Sequence, residues 1–159
     1  MSYTQPTTIH LPVFKDDSTS AGYEELPVEI LGAATYRLIC SPGFVYGLAG
    51  GDEFLLAPDT PLGYTIVRRA GNVCVWFFFA ERQHEHAPAL QQLRARVETL
   101  GGHLDGGSGR MVIFTLPVTV GFPTIEQIFE QAVQQHSGAT WMYSNVYDPG
   151  DGQTPLNWW

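Results

Sequence analysis

The sequence predicts an α+β fold, in which a small bent β-sheet or half-barrel precedes a ferredoxin-like split βαβ half of order β-α-β-β-α-β. In the first half, short strand-like segments alternate with Gly, Pro and Asp turns, and no helical periodicity occurs. After residue 71, apolar runs of strand length alternate with two segments of helical periodicity. The chain has 159 residues, of which 44% are apolar, so it can bury one sizeable core.

The predicted organisation has four parts within one compact unit. Residues 1–22 are an irregular N-terminus, and residues 23–71 are a small β subdomain. Residues 72–148 are the ferredoxin-like subdomain, and residues 149–159 are a C-terminal tail. Within the β subdomain, turn residues separate strands predicted at 28–31, 36–40, 53–57 and 64–68.

The ferredoxin-like subdomain begins with a β-branched and aromatic run at 73–79, which is apolar on both faces and therefore predicts a central strand. A helix follows, because leucine and valine recur at helical spacing between Pro88 and the Gly pair at 101–102. Residues 103–116 then predict a hairpin that turns through the glycines at 106–109.

The second helix is predicted to begin at Thr124, which lies three residues before Gln127 at capping-box spacing. Apolar residues recur on one face after this point, and Gly138 provides the stop. A last strand is predicted at 141–147.

Charge is distributed unevenly along the chain, whose formal net charge is −8. Every Lys and Arg precedes Met111, so the acidic residues beyond that position have no basic residue near them in sequence. Nucleic acid and anionic membranes attract clustered Lys and Arg, and the composition therefore argues against both as partners.

Cys40 and Cys74 lack metal-ligand spacing, and the N-terminus lacks a signal sequence, which together favour the cytoplasm.

The acidic C-terminal third is also rich in aromatic residues, and this combination is typical of a surface that docks a basic protein. Glu126 and Glu130 lie one turn apart on the second predicted helix with no Lys or Arg beside them. We expect Trp158 and Trp159 to fold back and cover a groove or complete the surface, because exposed indoles favour aggregation. The sequence leaves open whether the free protein forms a homodimer. The predicted partner-binding residues are Glu126, Glu130, Trp141, Tyr143, Asp148, Asp151, Trp158 and Trp159.

A metal site is the first chemical alternative. His84 and His86, together with His103 or Asp105, have the donor types that bind zinc. Because such spacing is common in polar loops between a strand and a helix, we predict no metal site.

Three further patterns favour structure over catalysis. The glycine-rich loop 47–52 lacks the Lys of a phosphate-binding loop, so we interpret it as a tight turn in which Asp52 bonds nearby backbone N–H groups. The Cys-Ser pair at 40–41 lies in no recognised nucleophile motif. The arginines at 68–69 could bind a phosphate or carboxylate together with Arg37, but alternation along a strand favours one arginine in solvent and the other in a local ion pair. We therefore predict neither an enzyme nor a bound cofactor.

The segment YRLICSPGFVYGLAGGDEF, at 36–54, resembles the core motif of a bacterial family known only as a domain of unknown function. Its members have a Tyr-Gly after a Pro, and then a Gly-Asp that opens a strand. The likeness continues through Arg-Arg-Ala-Gly at 68–71 and Leu-Gly-Gly at 100–102, so that it spans most of residues 23–148. It departs at 72–73, where the family tends to place a polar residue or His, and in the C-terminal extension.

The resemblance implies a role beside interbacterial toxins, because domains of this kind look like those that neutralise a cognate effector. On this basis we expect a cytoplasmic immunity protein, with a nuclease of a type VI secretion system favoured as the toxin because nucleases are basic and this chain is acidic. A small-molecule-sensing or regulatory domain is the alternative. A metal-dependent enzyme that uses the His84 and His86 pair is a third hypothesis.

Overall fold

In the residues that it describes, 6–14 and 20–159, the computed structural model contains two antiparallel β-sheets and two α-helices. The predicted α+β class is confirmed, and the first sheet is open rather than a closed barrel. No helix in the described residues is long and apolar enough to cross a bilayer.

The first sheet is a meander, because its five strands pair in chain order. The strands predicted between residues 28 and 68 are confirmed to within a few residues, although the first of them continues a longer strand. The strands are β1 (Pro6–Phe14), β2 (Ser20–Gly32), β3 (Thr35–Leu38), β4 (Glu53–Leu56) and β5 (Tyr64–Arg68).

The prediction of an irregular N-terminus over residues 1–22 is wrong where β1 pairs with the beginning of β2. Ile9 and Leu11 are buried whereas His10 is exposed, which is the period-2 pattern of a half-buried strand. Pro12 is compatible with this assignment because β1 is an edge strand, where a missing N–H is tolerated. The rest of that prediction, at 1–5 and 15–19, lies outside the described residues.

The second sheet has the predicted split βαβ arrangement, with strand order β7-β8-β6-β9 and every neighbouring pair antiparallel. The apolar run predicted as a central strand is β6, which has a neighbour on each side. The elements are β6 (Asn72–Phe78), α1 (Pro88–Thr99), β7 (His103–Ser108), β8 (Met111–Pro117), α2 (Phe122–Gln135) and β9 (Thr140–Tyr143).

Two predicted boundaries in this half are wrong. The capping box at Thr124 does not form, because α2 begins two residues earlier, after Gly121, and Pro123 occupies its first turn. The last strand was expected to reach residue 147, but β9 ends at Tyr143 because the chain there turns toward the first half of the protein.

The main core lies between the second sheet and the two helices, where Phe77, Phe114 and Phe129 are fully buried. The opposite face of this sheet is also covered, since Cys74 and Trp76 pack with residues of the first half. Burial on both faces explains why β6 is apolar throughout. A separate cluster fills the concave side of the first sheet.

Candidate functional site

A groove of about 870 Å³ lies between the first half of the protein and the edge of β9. Glu126 and Glu130 of α2 form one wall, residues 44–46 form the opposite wall, and the loop 147–152 lies between them. We call this feature the acidic groove. Its lining residues are Pro12, Phe44, Val45, Tyr46, Leu62, Glu126, Glu130, Trp141, Met142, Tyr143, Ser144, Tyr147, Asp148, Pro149, Gly150, Asp151 and Gly152.

The structure brings six of the eight predicted partner-binding residues together in the acidic groove. They come from α2, from β9 and from the loop after it, so the fold assembles residues that are separate in sequence. These six are Glu126, Glu130, Trp141, Tyr143, Asp148 and Asp151.

The α2 wall is ordered by hydrogen bonds from aromatic side chains. Trp141 Nε1 donates to the Glu130 carboxylate at 3.0 Å, and the Tyr143 hydroxyl lies 3.5 Å from the Glu126 carboxylate. Burial, followed by the charge of Glu126, raises the pKa of Tyr143, so its hydroxyl keeps its proton. The aromatic donors hold both carboxylates in place without neutralising them.

The loop 147–152 is ordered by its own acidic residues. The Asp148 carboxylate accepts the Gly150 N–H at 2.7 Å, and Asp151 accepts the N–H groups of Gln153 and Thr154 at 2.8 and 2.9 Å. The Thr154 hydroxyl and these two N–H groups lower the pKa of Asp151, which keeps it ionised. Asp148 and Asp151 therefore stabilise the loop and also contribute negative charge to the groove.

The opposite wall depends on Glu24 of β2. One of its carboxylate oxygens accepts the Gly43 N–H at 2.6 Å, and the other accepts the N–H groups of Phe44 and Val45, each at 2.9 Å. Three successive backbone donors on one carboxylate fix the conformation of this loop. Phe44 consequently stays 51% exposed, which is unusual for phenylalanine.

Sequence reasoning did not include Phe44, Tyr46 or Glu24 in the site. The ring of Tyr46 lies 4.8 Å from that of Trp76, and the Trp76 indole donates to the Pro42 carbonyl at 2.8 Å. The signal that could have identified this wall is two aromatic residues in a loop opened by Pro-Gly, because aromatic residues in exposed loops often bind partners.

None of the arginines that the structure describes lines the acidic groove, and three of them pair with carboxylates of the first half of the protein. Glu53 accepts from Arg37 at 2.8 Å and from Arg68 at 3.0 Å on the first sheet. Arg69 pairs with the buried Asp52 at 3.2 Å. Arg69 forms the local ion pair that was expected for one of the two neighbouring arginines, and Arg68, whose side chain is 62% exposed, is paired as well. None of the four groove carboxylates has an ion-pair partner among the described residues.

Trp158 and Trp159 fold back onto the protein, as expected, but they do not line the acidic groove. Trp158 Nε1 donates to the Asn145 carbonyl at 2.7 Å, and the guanidinium of Arg69 lies 5.4 Å from the Trp158 ring centre. The Trp159 ring packs 5.0 Å from that of Phe122 and remains 46% exposed. The pair therefore anchors the C-terminal segment beside α2.

Asn145 is a structural residue of the site that the sequence did not reveal. Its side-chain oxygen accepts the Cys74 N–H and its amide donates to the Asn72 carbonyl, both at 2.9 Å. The Ser144 carbonyl, released from β6, accepts the Gly47 N–H at 2.8 Å instead. Asn145 thus replaces the lost strand pairing and lets the chain turn into the groove.

The glycine-rich loop 47–52 is the predicted tight turn. Gly47 and Gly51 have positive φ angles of 88° and 89°, and a Cβ at Gly47 would lie 2.3 Å from the Tyr64 hydroxyl. The fully buried Asp52 accepts the N–H groups of Ala49 and Ala70 at 2.9 and 3.0 Å. Its predicted role in backbone bonding is confirmed.

The residues at 40–41 lie near a His that is distant in sequence, but not in a catalytic arrangement. His103 Nε2 lies 3.0 Å from Asp105, which accepts the Thr115 hydroxyl, and Thr115 Oγ1 lies 2.5 Å from Ser41 Oγ. The imidazole is therefore separated from the buried Ser41 hydroxyl by two side chains. Burial also raises the pKa of the Cys40 thiol, which disfavours a thiolate nucleophile.

His84 and His86 are exposed in the loop before α1. Across the described part of the chain, no three side chains of His, Cys, Asp or Glu are grouped as a metal site would require. The Asp105 that could have joined them is instead 3% exposed and hydrogen-bonded to His103 and Thr115.

Comparisons with known proteins place the chain in a family without assigning it a role. Residues 24–141 match the family described as Domain of unknown function (DUF4265). No curated protein matches the chain significantly. Among solved structures, it is similar to one titled "Novel crystal structure of a hypothetical protein from Neisseria gonorrhoeae", with a TM-score of 0.65 and 13% sequence identity. That match covers 91% of this chain and 96% of the other, and at this identity it supports the fold alone.

Proposed function

The chain belongs to the DUF4265 family of domains of unknown function, and we propose that it is an immunity protein that binds and neutralises a basic toxin through the acidic groove. The observation that carries the proposal is a concave site that has four carboxylates, five aromatic side chains and, among the described residues, no Lys or Arg in its lining. Such a site attracts cationic side chains by charge and holds them against aromatic faces.

The proposal requires binding and no reaction. A tight complementary surface is enough to block a toxin, and opposite charge accelerates its capture. A nuclease of a type VI secretion system is the favoured target, because a protein that binds nucleic acid presents clustered Lys and Arg to its substrate. We further propose that the protein acts in the cytoplasm, where a delivered nuclease would meet its substrate.

The experiment is a growth rescue with the product of the gene beside the one that encodes this chain. That product is expressed in a sensitive bacterial host with the wild-type chain or with the Glu126→Lys, Glu130→Lys variant. We expect the wild type to restore growth and the double variant to fail. With the purified pair, the variant should bind more slowly, depend less on salt and lose roughly 2–5 kcal/mol of affinity if a desolvated ion pair is broken.

The matched control is the Glu81→Lys, Glu85→Lys variant, which changes net charge equally at exposed positions outside the groove. It should rescue growth as the wild type does and melt near the wild-type temperature, because both side chains are exposed. The groove variant should stay folded but melt at a somewhat lower temperature, because Trp141 and Tyr143 lose their carboxylate acceptors. A control Asp16→Lys, Asp17→Lys would be less informative, since those residues lie outside the described part of the chain. If the neighbouring product is harmless, or if wild type fails to protect against it, the immunity proposal is wrong.

The size of the groove favours a second candidate, the small-molecule-sensing domain. A volume of about 870 Å³ lies within the range of ligand pockets, and its lining would suit a cationic amine. Spermidine serves as the probe: saturable binding that raises the melting temperature, and that the Glu126→Lys, Glu130→Lys variant abolishes, would favour this candidate.

A further inference from the structure

The edge of β9 is open to the acidic groove. β9 is the last strand of the second sheet, and among the described residues no strand pairs with its outer edge. The Ser144 N–H bonds to the Cys74 carbonyl of β6 at 3.0 Å, and backbone direction alternates along an antiparallel strand. The N–H and C=O groups of Trp141 and Tyr143 therefore point away from β6, toward the groove.

The groove follows this edge rather than one face of the sheet. Residues 141–144 all line it, although successive side chains of a strand point to opposite faces. Four consecutive residues can share one groove only if it runs along the backbone. Their length, about 13 Å in an extended chain, is enough to pair with a short strand.

The inner end of the edge holds a polar group without a partner. Ser144 is 2% exposed and lines the groove. Its hydroxyl approaches the Cys74 thiol but has no hydrogen-bond partner of acceptable geometry in the described part of the chain. The hydroxyl lies on the same face of the sheet as Cys74 and has no exposed surface, so it belongs to the packing at this end of β9 and is not a contact for a ligand.

We propose that the acidic groove receives an extended basic segment of the partner protein, which pairs antiparallel with β9 as a fifth strand of the second sheet. This inference rests on the proposed function and specifies how the partner binds. It is a form of β-strand addition, in which backbone hydrogen bonds provide affinity and alternate side chains provide specificity.

The two walls determine which side chains the segment carries. Trp141 and Tyr143 point to the face of the sheet that α2 covers, where they contact Glu130 and Glu126. Met142 points to the other face, toward the cluster that contains Trp76 and hence toward the wall at 44–46. An added strand would thus place Lys or Arg beside α2 and apolar residues against the aromatic wall, in alternation.

Charge argues against a second copy of this chain as the occupant. Pairing two β9 edges would bring the Glu126 and Glu130 carboxylates of both copies together, and the lining residues that the structure describes include no Lys or Arg. Like charges facing each other across an interface oppose association. The same carboxylates disfavour edge-to-edge aggregation through β9, a strand that carries no Pro or Lys of its own.

The experiment uses a capped eight-residue peptide of alternating Lys and Val, labelled for fluorescence anisotropy, with the full chain. In an antiparallel pair, residues opposite Trp141 and Tyr143 have their side chains toward α2 and their N–H groups toward β9. N-methylation of two Lys residues should therefore weaken binding at least about tenfold. N-methylation of two Val residues, whose N–H groups point to solvent, should change it by less than about threefold.

A block peptide of the same composition, with the Lys residues first, is the control for charge and should bind at least about tenfold more weakly than the alternating one. Equal binding of both N-methylated peptides and the parent overturns strand addition, as does failure of the parent peptide to bind. Neither result affects the growth rescue, which tests the proposed function separately. A concentration-dependent dimer that Glu126→Lys, Glu130→Lys strengthens would make a second copy the occupant and also overturn the proposal.

Discussion

Replacing Asn145 with Ala tests how the fold builds the acidic groove. Asn145 is fully buried, and its side chain satisfies the Cys74 N–H and the Asn72 carbonyl of β6. Alanine would leave both backbone groups without a partner in a site too closed to admit solvent freely. Each unsatisfied buried group costs about 1–3 kcal/mol, so the loss of both partners should lower the free energy of unfolding by roughly 2–6 kcal/mol.

Urea denaturation followed by circular dichroism measures this change, provided that the m-value stays constant. Gln134→Ala is the matched control, because it removes an exposed amide from α2 and should alter stability by less than about 0.5 kcal/mol. A loss below about 1 kcal/mol for Asn145→Ala would refute the idea that this side chain replaces strand pairing beyond Tyr143.

Two further outcomes follow from carboxylates of the first sheet. Arg68 and Arg37 lower the pKa of Glu53 from its ordinary value of 4.5 to about 2, so its stabilising effect is complete above pH 4.5 and is lost as pH falls toward 2. Urea denaturation across this window should show that the free energy of unfolding falls more steeply with pH for the wild type than for Glu53→Gln. Parallel curves would contradict the assignment. Glu24→Gln should reduce stability by about 1–3 kcal/mol and weaken binding of the Lys-Val peptide, because the amide nitrogen that replaces one carboxylate oxygen cannot accept an N–H group of residues 43–45. The substitution Glu25→Gln at the exposed neighbouring position should do neither. Equal melting temperatures for the two variants would contradict the role of Glu24.

The sequence predicted elements whose signal is local. Both helices were predictable because their burial follows a period within one segment, as at Leu90 and Leu93, and β6 was predictable because it is an unbroken apolar run. The strand at 6–14 carries an alternation of buried and exposed residues, but Pro12 and the polar residues around it obscured the pattern. The end of β9 was not predictable, since it depends on whether the Ser144 carbonyl accepts from β6 or from Gly47, which only the packed structure decides.

The candidate site was predictable to the extent that charge reveals it. Glu126 and Glu130 stood out because no basic residue follows Met111, and helical spacing places them on one face. The wall at 44–46 was not predictable, because its contribution depends on a side chain of β2 that binds it from a distant position. Trp158 and Trp159 were predicted to fold back onto the protein and to bind the partner. They do fold back, but they lie outside the groove, where Trp158 contacts Arg69 and Trp159 contacts Phe122.

The carboxylates of the first sheet and those of α2 have different partners. In the first sheet, Glu24, Asp52 and Glu53 each bind arginine or backbone N–H groups, so their charge is compensated where it arises. Around the acidic groove, Glu126 and Glu130 accept only from neutral aromatic donors. Uncompensated like charges in one concave site repel one another and destabilise the free protein, whereas a cationic ligand relieves that repulsion on binding. The feature that costs stability in the free chain is therefore the one that would strengthen a complex, which is why the groove, rather than the buried Asp52 network, is the place to look for a partner.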